Sequence, residues 1–174
     1  SINTAFVSLN EAVGPANTKA AAIEAGIPAD TPGLDESLTN VLGSASPRGI
    51  DMAQAYSTFA NGGATVPNHA VVKVQNKDGK DIYDASVTAE QKVDKQQALE
   101  VNKALEMTNT SGGTGAVVAR TLGRPSAGKS GTSSGPWSAW YVGYVPQMLT
   151  VVNMFQVGPN GEEQKLTPFG RYPY

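Results

Sequence analysis

The run from residue 137 to residue 157 limits the fold of this chain more than any other stretch. Its two halves are rich in the β-branched and aromatic residues that suit a pleated sheet, and Pro146-Gln147 separates them as a turn. The residues that carry this signal are Trp137, Trp140, Tyr141, Val142 and Tyr144, then Leu149, Val151, Val152, Met154, Phe155 and Val157. The sequence therefore predicts a two-stranded antiparallel hairpin, fed by a strand within the glycine-containing residues 127–135.

Residues 127–135 also concentrate hydrogen-bonding groups. One cation, four hydroxyls and three glycines lie within these nine residues. Because glycine lets a ligand approach the backbone closely, such a segment can line up several donors against one bound group. We expect a site for a carboxylate or an oxyanion here.

The preceding residues predict helices with one short hairpin among them. Apolar spacing and end signals predict a short buried helix before Gly14-Pro15, and further helices at residues 19–25, 50–60, 94–110 and 116–122. Residues 71–75 and 81–84 flank a turn at Asp78-Gly79 and predict the hairpin. Residues 28–49 indicate a packed loop with a little strand near residues 38–42. Helices followed by antiparallel strands predict an α+β fold.

Length and composition fit one domain or part of one. The chain has 174 residues, a net charge of −2 and no cysteine. This composition excludes disulfides and thiolate metal sites and gives no basic patch for nucleic acid. No apolar run approaches the roughly 20 residues of a membrane span, so we expect any export signal or anchor to lie outside these residues.

Three motifs overlap around Lys129. Residues 123–130 match the phosphate-binding pattern G-x-x-x-x-G-K-[ST], but Gly131 to Pro136 do not allow the helix that must follow it. Ser126 and Lys129 match S-x-x-K, which also requires a helix. The third interpretation, K-[ST]-G on a strand, agrees with the predicted context, and Ser1-Ile2-Asn3 stands upstream as an S-x-N motif.

With these motifs the chain resembles the C-terminal part of the transpeptidase domain of class A (bifunctional) penicillin-binding proteins. The resemblance covers nearly the whole chain, and the residues that carry it lie at 1–7, 50–63, 112–115, 127–132 and 139–146. It implies an antiparallel sheet of five strands flanked by helices. It also implies a peptidoglycan D,D-transpeptidase, in which a serine attacks the D-Ala-D-Ala bond of a stem peptide and which β-lactams acylate.

The resemblance implies roles for seven residues. Ser1 is expected to relay a proton to the leaving nitrogen, and Asn3 to bind the substrate amide. Lys129 is expected to lower the proton affinity around Ser1 and to attract the substrate carboxylate. The substrate-binding residues implied are Ser130, Gly131, Thr132 and Ser133. The N–H of Thr132 would be half of the oxyanion hole.

Two features depart from the family pattern. Ser130 stands where these enzymes usually have threonine, which keeps the hydroxyl and loses a methyl group. No S-x-x-K motif suited to the nucleophile is present, so we expect residues 1–174 to be the C-terminal part of one transpeptidase domain. By itself such a part would be inactive, and its partner would be the N-terminal remainder of the domain, on the same chain or on a separate one.

The resemblance leaves other functions open. A D,D-carboxypeptidase or a β-lactamase-like hydrolase shares the motifs, and a non-catalytic cell-wall binding or scaffold domain could share the shape. The expected ligands are the D-Ala-D-Ala end of a stem peptide and β-lactam antibiotics, with no cofactor, metal or nucleic acid. The expected location is extracytoplasmic, anchored to the bacterial cell membrane by a segment outside these residues.

Overall fold

The computed structural model describes residues 3–168. Its α-helices are α1 (Asn3–Val13), α2 (Pro15–Ala25), α3 (Gly49–Ala60), α4 (Lys95–Met107) and α5 (Ala116–Leu122). All five were predicted, although α2 begins four residues earlier than expected. Pro15 starts this helix at its first position, where its fixed φ is favourable and its missing N–H costs no hydrogen bond.

The strands form three antiparallel sheets. They are β1 (Ala64–Thr65), β2 (Lys73–Gln75), β3 (Asp81–Asp84), β4 (Glu90–Gln91), β5 (Ala127–Thr132), β6 (Ser138–Val145), β7 (Met148–Val157) and β8 (Glu163–Gln164). The main sheet has the order β5-β6-β7-β8, so β5 lies at one edge, while β1 pairs with β4 and β2 with β3. The predicted hairpins and the α+β fold class are confirmed. Residues 3–168 supply four strands to the main sheet, not the five that the resemblance implied.

Helices α2 and α3 pack through a small apolar core. Ala25, Ile27 and Ala55 are buried at its centre. Thr58 is fully buried beside them, and its hydroxyl donates to the carbonyl oxygen of Ala25 at 2.8 Å. This bond satisfies a buried polar group and links the end of α2 to α3.

The main sheet is held by α3 and α4. Helix α3 packs on β6 and β7, and α4 packs on β5. The rings of Tyr56 in α3 and Tyr144 in β6 meet edge to face, with centroids 6.4 Å apart. The Tyr144 hydroxyl donates to Asn102 Oδ1 in α4. Burial, with smaller contributions from Tyr56 and Glu106, raises the pKa of Tyr144, so this hydroxyl stays protonated in its bond.

Two expectations about local structure are wrong. Helix α1 is not buried, because Phe6, Leu9 and Val13 are 44%, 58% and 50% exposed. Residues 40–42 form a 3₁₀ helix instead of a strand, ended by Gly43 in the left-handed conformation. Of the described helices, none combines the length and the apolar character that crossing a bilayer requires.

Candidate functional site

The open edge of β5 presents backbone groups to solvent. Beyond the end of β5, the N–H of Ser133 donates to the carbonyl oxygen of Ser138 at 3.1 Å, which continues the pairing with β6. Because the bonding direction alternates along an antiparallel strand, the N–H and C=O of Ser130 and Thr132 point away from β6. Two contacts agree with this direction: the carbonyl oxygens of Gly128 and Ser130 accept hydrogen bonds from side chains.

Lys129 places a positive charge at this edge. The side chain is exposed, and its Nζ donates to the carbonyl oxygen of Ser130 at 2.5 Å. Among residues 3–168, Lys129 takes part in no salt bridge with a carboxylate. The ammonium group is therefore available to an anion that approaches the edge of the strand.

Ser130 is paired with a residue that the sequence analysis missed. The Ser130 hydroxyl donates to Thr114 Oγ1 at 2.8 Å, although the two residues lie 16 positions apart. Thr114 is exposed and lies in the loop between α4 and α5. The cluster of glycines at residues 112–115 was the available signal: it was counted among the stretches that carry the family resemblance, but no role in the site was assigned to it.

Gly131 and Thr132 keep the outer part of the edge open. A Cβ built on Gly131 would meet only Trp140 Cβ, at an ordinary 3.7 Å. Thr132 pairs with Ala139 and is exposed, and the alternation along β5 directs its N–H outward. A ligand can therefore reach the Thr132 N–H and hydroxyl without moving protein atoms.

The hydroxyl of Ser133 is engaged within the loop between β5 and β6. It accepts hydrogen bonds from the N–H groups of Trp137 and Ser138 at 2.9 and 2.8 Å. Its own proton points to the carbonyl oxygen of Ser138 at 3.3 Å. Ser133 thus fixes the loop that leads from the site into β6.

A buried polar cluster supports β5 from beneath. Asn109 is 4% exposed, and its Nδ2 donates to Ser126 Oγ at 2.9 Å. Its Oδ1 accepts from the Tyr141 hydroxyl at 3.0 Å. The neighbouring Thr108 hydroxyl donates to the carbonyl oxygen of Gly128. These bonds tie the end of α4 to the first residues of β5.

The other two motif interpretations of this stretch do not match its conformation. Lys129 and Ser130 lie inside β5, so the phosphate-loop pattern opens no helix. Ser126 is 8% exposed, and its Oγ is bound by Asn109. As predicted, neither the phosphate-loop pattern nor the S-x-x-K match has the helical context that its chemistry requires.

The upstream motif falls partly outside the described residues. Ser1 is one of the residues that the structure does not describe. Asn3 is the exposed first residue of α1, a helix that packs on α2 and on residues 40–42. Within residues 3–168, the side-chain hydrogen bonds of Lys129 and Ser130 do not involve Asn3. The structure brings together residues 129–132 and Thr114, and the roles of Ser1 and Asn3 stay predictions.

The grouped side chains suit an anionic ligand. An ammonium group, three hydroxyls and an outward N–H lie along one strand edge, contributed by Lys129, Ser130, Thr132 and Thr114. In the described part of the chain, no three His, Asp or Glu side chains lie close enough together to hold a metal ion. This arrangement can bind a carboxylate and stabilise a developing oxyanion.

Comparison with known proteins identifies the family. The model of the penicillin binding protein transpeptidase domain matches residues 1–169. The chain belongs to this family. It is 34% identical to penicillin-binding protein 1A of Mycolicibacterium smegmatis, over 87% of this chain and 22% of that protein. It is also 34% identical to penicillin-binding protein 1A of Mycobacterium tuberculosis, over 100% of this chain and 23% of that protein. This transpeptidase-family chain spans about a fifth of the length of these relatives.

Solved structures agree with the family. Penicillin-binding protein 1A from Haemophilus influenzae matches with a TM-score of 0.75 at 22% identity, over 87% of this chain and 28% of that one. The penicillin-binding protein PonA1 from Mycobacterium tuberculosis matches with a TM-score of 0.64 at 31% identity, over 87% and 46%. PonA1 in complex with penicillin V matches with a TM-score of 0.62 at 31% identity, over 87% and 45%. The fold is that of the transpeptidase domains of penicillin-binding proteins.

Proposed function

We propose that this chain supplies the substrate-binding strand of a peptidoglycan D,D-transpeptidase. The enzyme would cross-link stem peptides through a serine acyl-enzyme, and β-lactams would acylate the same serine. The observation that carries the proposal is the open edge of β5, where Lys129 and Ser130 stand beside the outward N–H of Thr132. These groups can bind the carboxylate of a substrate and stabilise the oxyanion that forms during acyl transfer, and the chain belongs to the transpeptidase family.

Each group on the edge has a proposed task. A stem peptide that ends in D-Ala-D-Ala would lie along β5 as an added strand, next to Gly131. Its terminal carboxylate would be attracted by Lys129 and bound by the hydroxyls of Ser130 and Thr132. The N–H of Thr132 would stabilise the oxyanion of the tetrahedral intermediate. Ser133 would fix the loop that follows β5 at the end of this subsite, because its hydroxyl accepts hydrogen bonds from the N–H groups of Trp137 and Ser138.

The proposed reaction also needs groups beyond the edge. Ser1 would pass a proton to the leaving nitrogen, and Asn3 would bind the substrate amide. The serine nucleophile and its lysine would lie on an S-x-x-K segment outside residues 1–174, with these residues forming the C-terminal part of the domain. We place the protein outside the cytoplasm, anchored in the bacterial membrane. Binding of β-lactams by PonA1, solved with penicillin V, supports β-lactams as ligands here.

The test uses the full-length protein that carries these residues. Wild type should be labelled covalently by a fluorescent penicillin, and Lys129→Ala should slow the acylation about a hundredfold or more, because it removes the cation at the reacting centre. Lys103→Ala is the matched control: Lys103 is an exposed lysine of α4 whose Nζ lies 3.0 Å from Glu100 Oε1. Labelling of Lys129→Ala at the wild-type rate would overturn the proposal.

Product analysis separates the alternatives. A peptide ending in D-Ala-D-Ala and an acceptor amine should yield free D-alanine and the cross-linked peptide. Hydrolysed peptide without the cross-linked product would identify a carboxypeptidase or β-lactamase-like hydrolase. A wild-type protein that penicillin does not label would identify a non-catalytic binding or scaffold domain.

A further inference from the structure

The contact between Ser130 and Thr114 places two hydroxyls side by side at the site. A hydroxyl has one proton to donate, and the Ser130 hydroxyl donates its proton to Thr114 Oγ1 at 2.8 Å. The pair keeps a second proton, on Thr114 in this arrangement, and it is polarised because Thr114 accepts a hydrogen bond. Thr114 can therefore donate to a carboxylate that lies against Ser130.

The loop that carries Thr114 is fixed by close packing. A Cβ on Gly113 would lie 2.1 Å from the carbonyl oxygen of Thr108, and one on Gly115 would lie 1.8 Å from Asn109 Oδ1. The N–H of Gly115 also donates to the carbonyl oxygen of Thr108 at 2.9 Å. Both glycines thus let the loop lie directly on the end of α4.

The same end of α4 is attached to β5. Thr108 and Asn109 donate to the carbonyl oxygen of Gly128 and to Ser126 Oγ. The loop and the strand share these two anchoring residues, so the distance between Thr114 and Ser130 is set by the scaffold. Thr114 itself is exposed, which leaves its hydroxyl open to a ligand on the strand edge.

We propose that Thr114 is a third hydroxyl of the carboxylate subsite, which accepts a hydrogen bond from the Ser130 hydroxyl and donates a hydrogen bond to the ligand carboxylate. This inference rests on the proposed function and adds a binding residue outside the strand motif. It makes the subsite a product of two elements, β5 and the loop between α4 and α5. Loss of the Thr114 hydroxyl should therefore weaken recognition of the carboxylate and of nothing else on the ligand.

The experiment compares two ligands that differ at the carboxylate. Second-order acylation rates of the full-length protein are measured with penicillin V and with its methyl ester. Thr114→Val keeps the side-chain shape and removes the hydroxyl, and it should lower the rate with penicillin V at least about tenfold, the loss expected for one hydrogen bond to a charged group. The rate with the ester should stay the same, and Thr114→Ser should restore the rate with penicillin V.

A matched control and the remaining outcomes complete the test. Thr121→Val removes an exposed hydroxyl in α5 that donates to the carbonyl oxygen of Val117, and it should change neither rate. If Thr114→Val leaves both rates unchanged, or lowers both equally, Thr114 does not bind the carboxylate and the inference is wrong. If wild type reacts with neither ligand, the proposed function itself fails.

Discussion

The hydroxyl of Tyr141 occupies the space that a side chain at Gly128 would need. A Cβ built on Gly128 would lie 2.6 Å from Tyr141 Oη and 2.8 Å from the carbonyl oxygen of Val142. Tyr141 cannot easily turn away, because its hydroxyl donates to the buried Asn109 Oδ1 at 3.0 Å. The strand that carries the candidate site therefore requires glycine at residue 128 for steric reasons.

Gly128→Ala should destabilise the domain. The added methyl group must displace either Tyr141 or the backbone of β6, and overpacking of this kind costs about 1–3 kcal/mol. The expected fall in Tm is about 2–4 °C for each kcal/mol in a domain of this size. Thermal unfolding followed by circular dichroism measures it. A variant that melts at the wild-type temperature would show that β5 and Tyr141 can separate freely.

Gly131→Ala should give the opposite result. Its Cβ would make only one ordinary contact, 3.7 Å from Trp140 Cβ, so the Tm should stay close to that of wild type. The same methyl group would stand beside the path of a ligand along β5 and displace it from the reacting groups. We expect acylation by penicillin V to slow about tenfold or more. Unchanged acylation would mean that the ligand does not lie against residue 131.

The sequence predicted the strands whose own residues form a recognisable β pattern. Residues 137–157 alternate aromatic and β-branched residues around a proline turn, and this local pattern is enough to predict β6 and β7. The two-residue strands β1 and β4 were missed. Ala64 pairs with Gln91, 27 positions away, so their pairing depends on a partner that no local window contains.

The part of the site that lies within one local sequence pattern was predictable, and the part that depends on distant residues was not. Lys129, Ser130 and Thr132 lie within one strand motif, and the sequence predicted that they share a strand. Thr114 was missed because its relation to Ser130 arises from the packing of a loop on α4, and the glycines around Thr114 indicate a tight turn without indicating what the turn lies against. The burial of α1 was mispredicted because periodicity indicates an apolar face and does not indicate what covers it. Phe6 is an example, at 44% exposure.

Asp51 should contribute stability that depends on pH. Arg48 lowers the pKa of Asp51 below its ordinary 3.8, chiefly through the side-chain hydrogen bond, and the two side chains are joined at 2.7 and 2.8 Å. Because the folded-state pKa is the lower one, the contribution is present above about pH 4 and is lost as the pH falls through the lowered pKa. The carboxylate also accepts the N–H of Arg48 at the start of α3.

Asp51→Asn tests this contribution. We expect a loss of about 1 kcal/mol at neutral pH, because the Asp51 carboxylate is nearly buried but solvent screens its exposed partner Arg48. The difference in Tm between variant and wild type should shrink as the pH is lowered from 6 to about 2. Asp78→Asn, in the exposed turn between β2 and β3, is the control and should have little effect at any pH. A difference for Asp51→Asn that stays constant with pH would contradict the assignment.

The bond between Asn109 and Tyr141 should appear as an energetic coupling. Asn109→Ala leaves the hydroxyls of Ser126 and Tyr141 without their partner in a buried place and should cost roughly 2–4 kcal/mol. Tyr141→Phe removes one end of the bond and should cost about 1 kcal/mol. In the double variant the second change removes a bond that is already lost. The double variant should therefore lose about 0.5–1 kcal/mol less unfolding free energy than the two single variants lose together, as measured by denaturant unfolding.

The control for this cycle pairs Tyr141→Phe with Asp51→Asn. Asp51 lies in α3, and its hydrogen bonds go to Arg48 instead of to the Asn109 cluster, so the two effects should add within about 0.5 kcal/mol. Full additivity in the Asn109 and Tyr141 cycle would mean that the bond does not hold β6 against the end of α4. In that case Ser130 and Thr114 would be kept together by the bonds of Thr108 and Asn109 to the start of β5 and by the packing of Gly113 and Gly115, and Gly115→Ala should be the change that separates them.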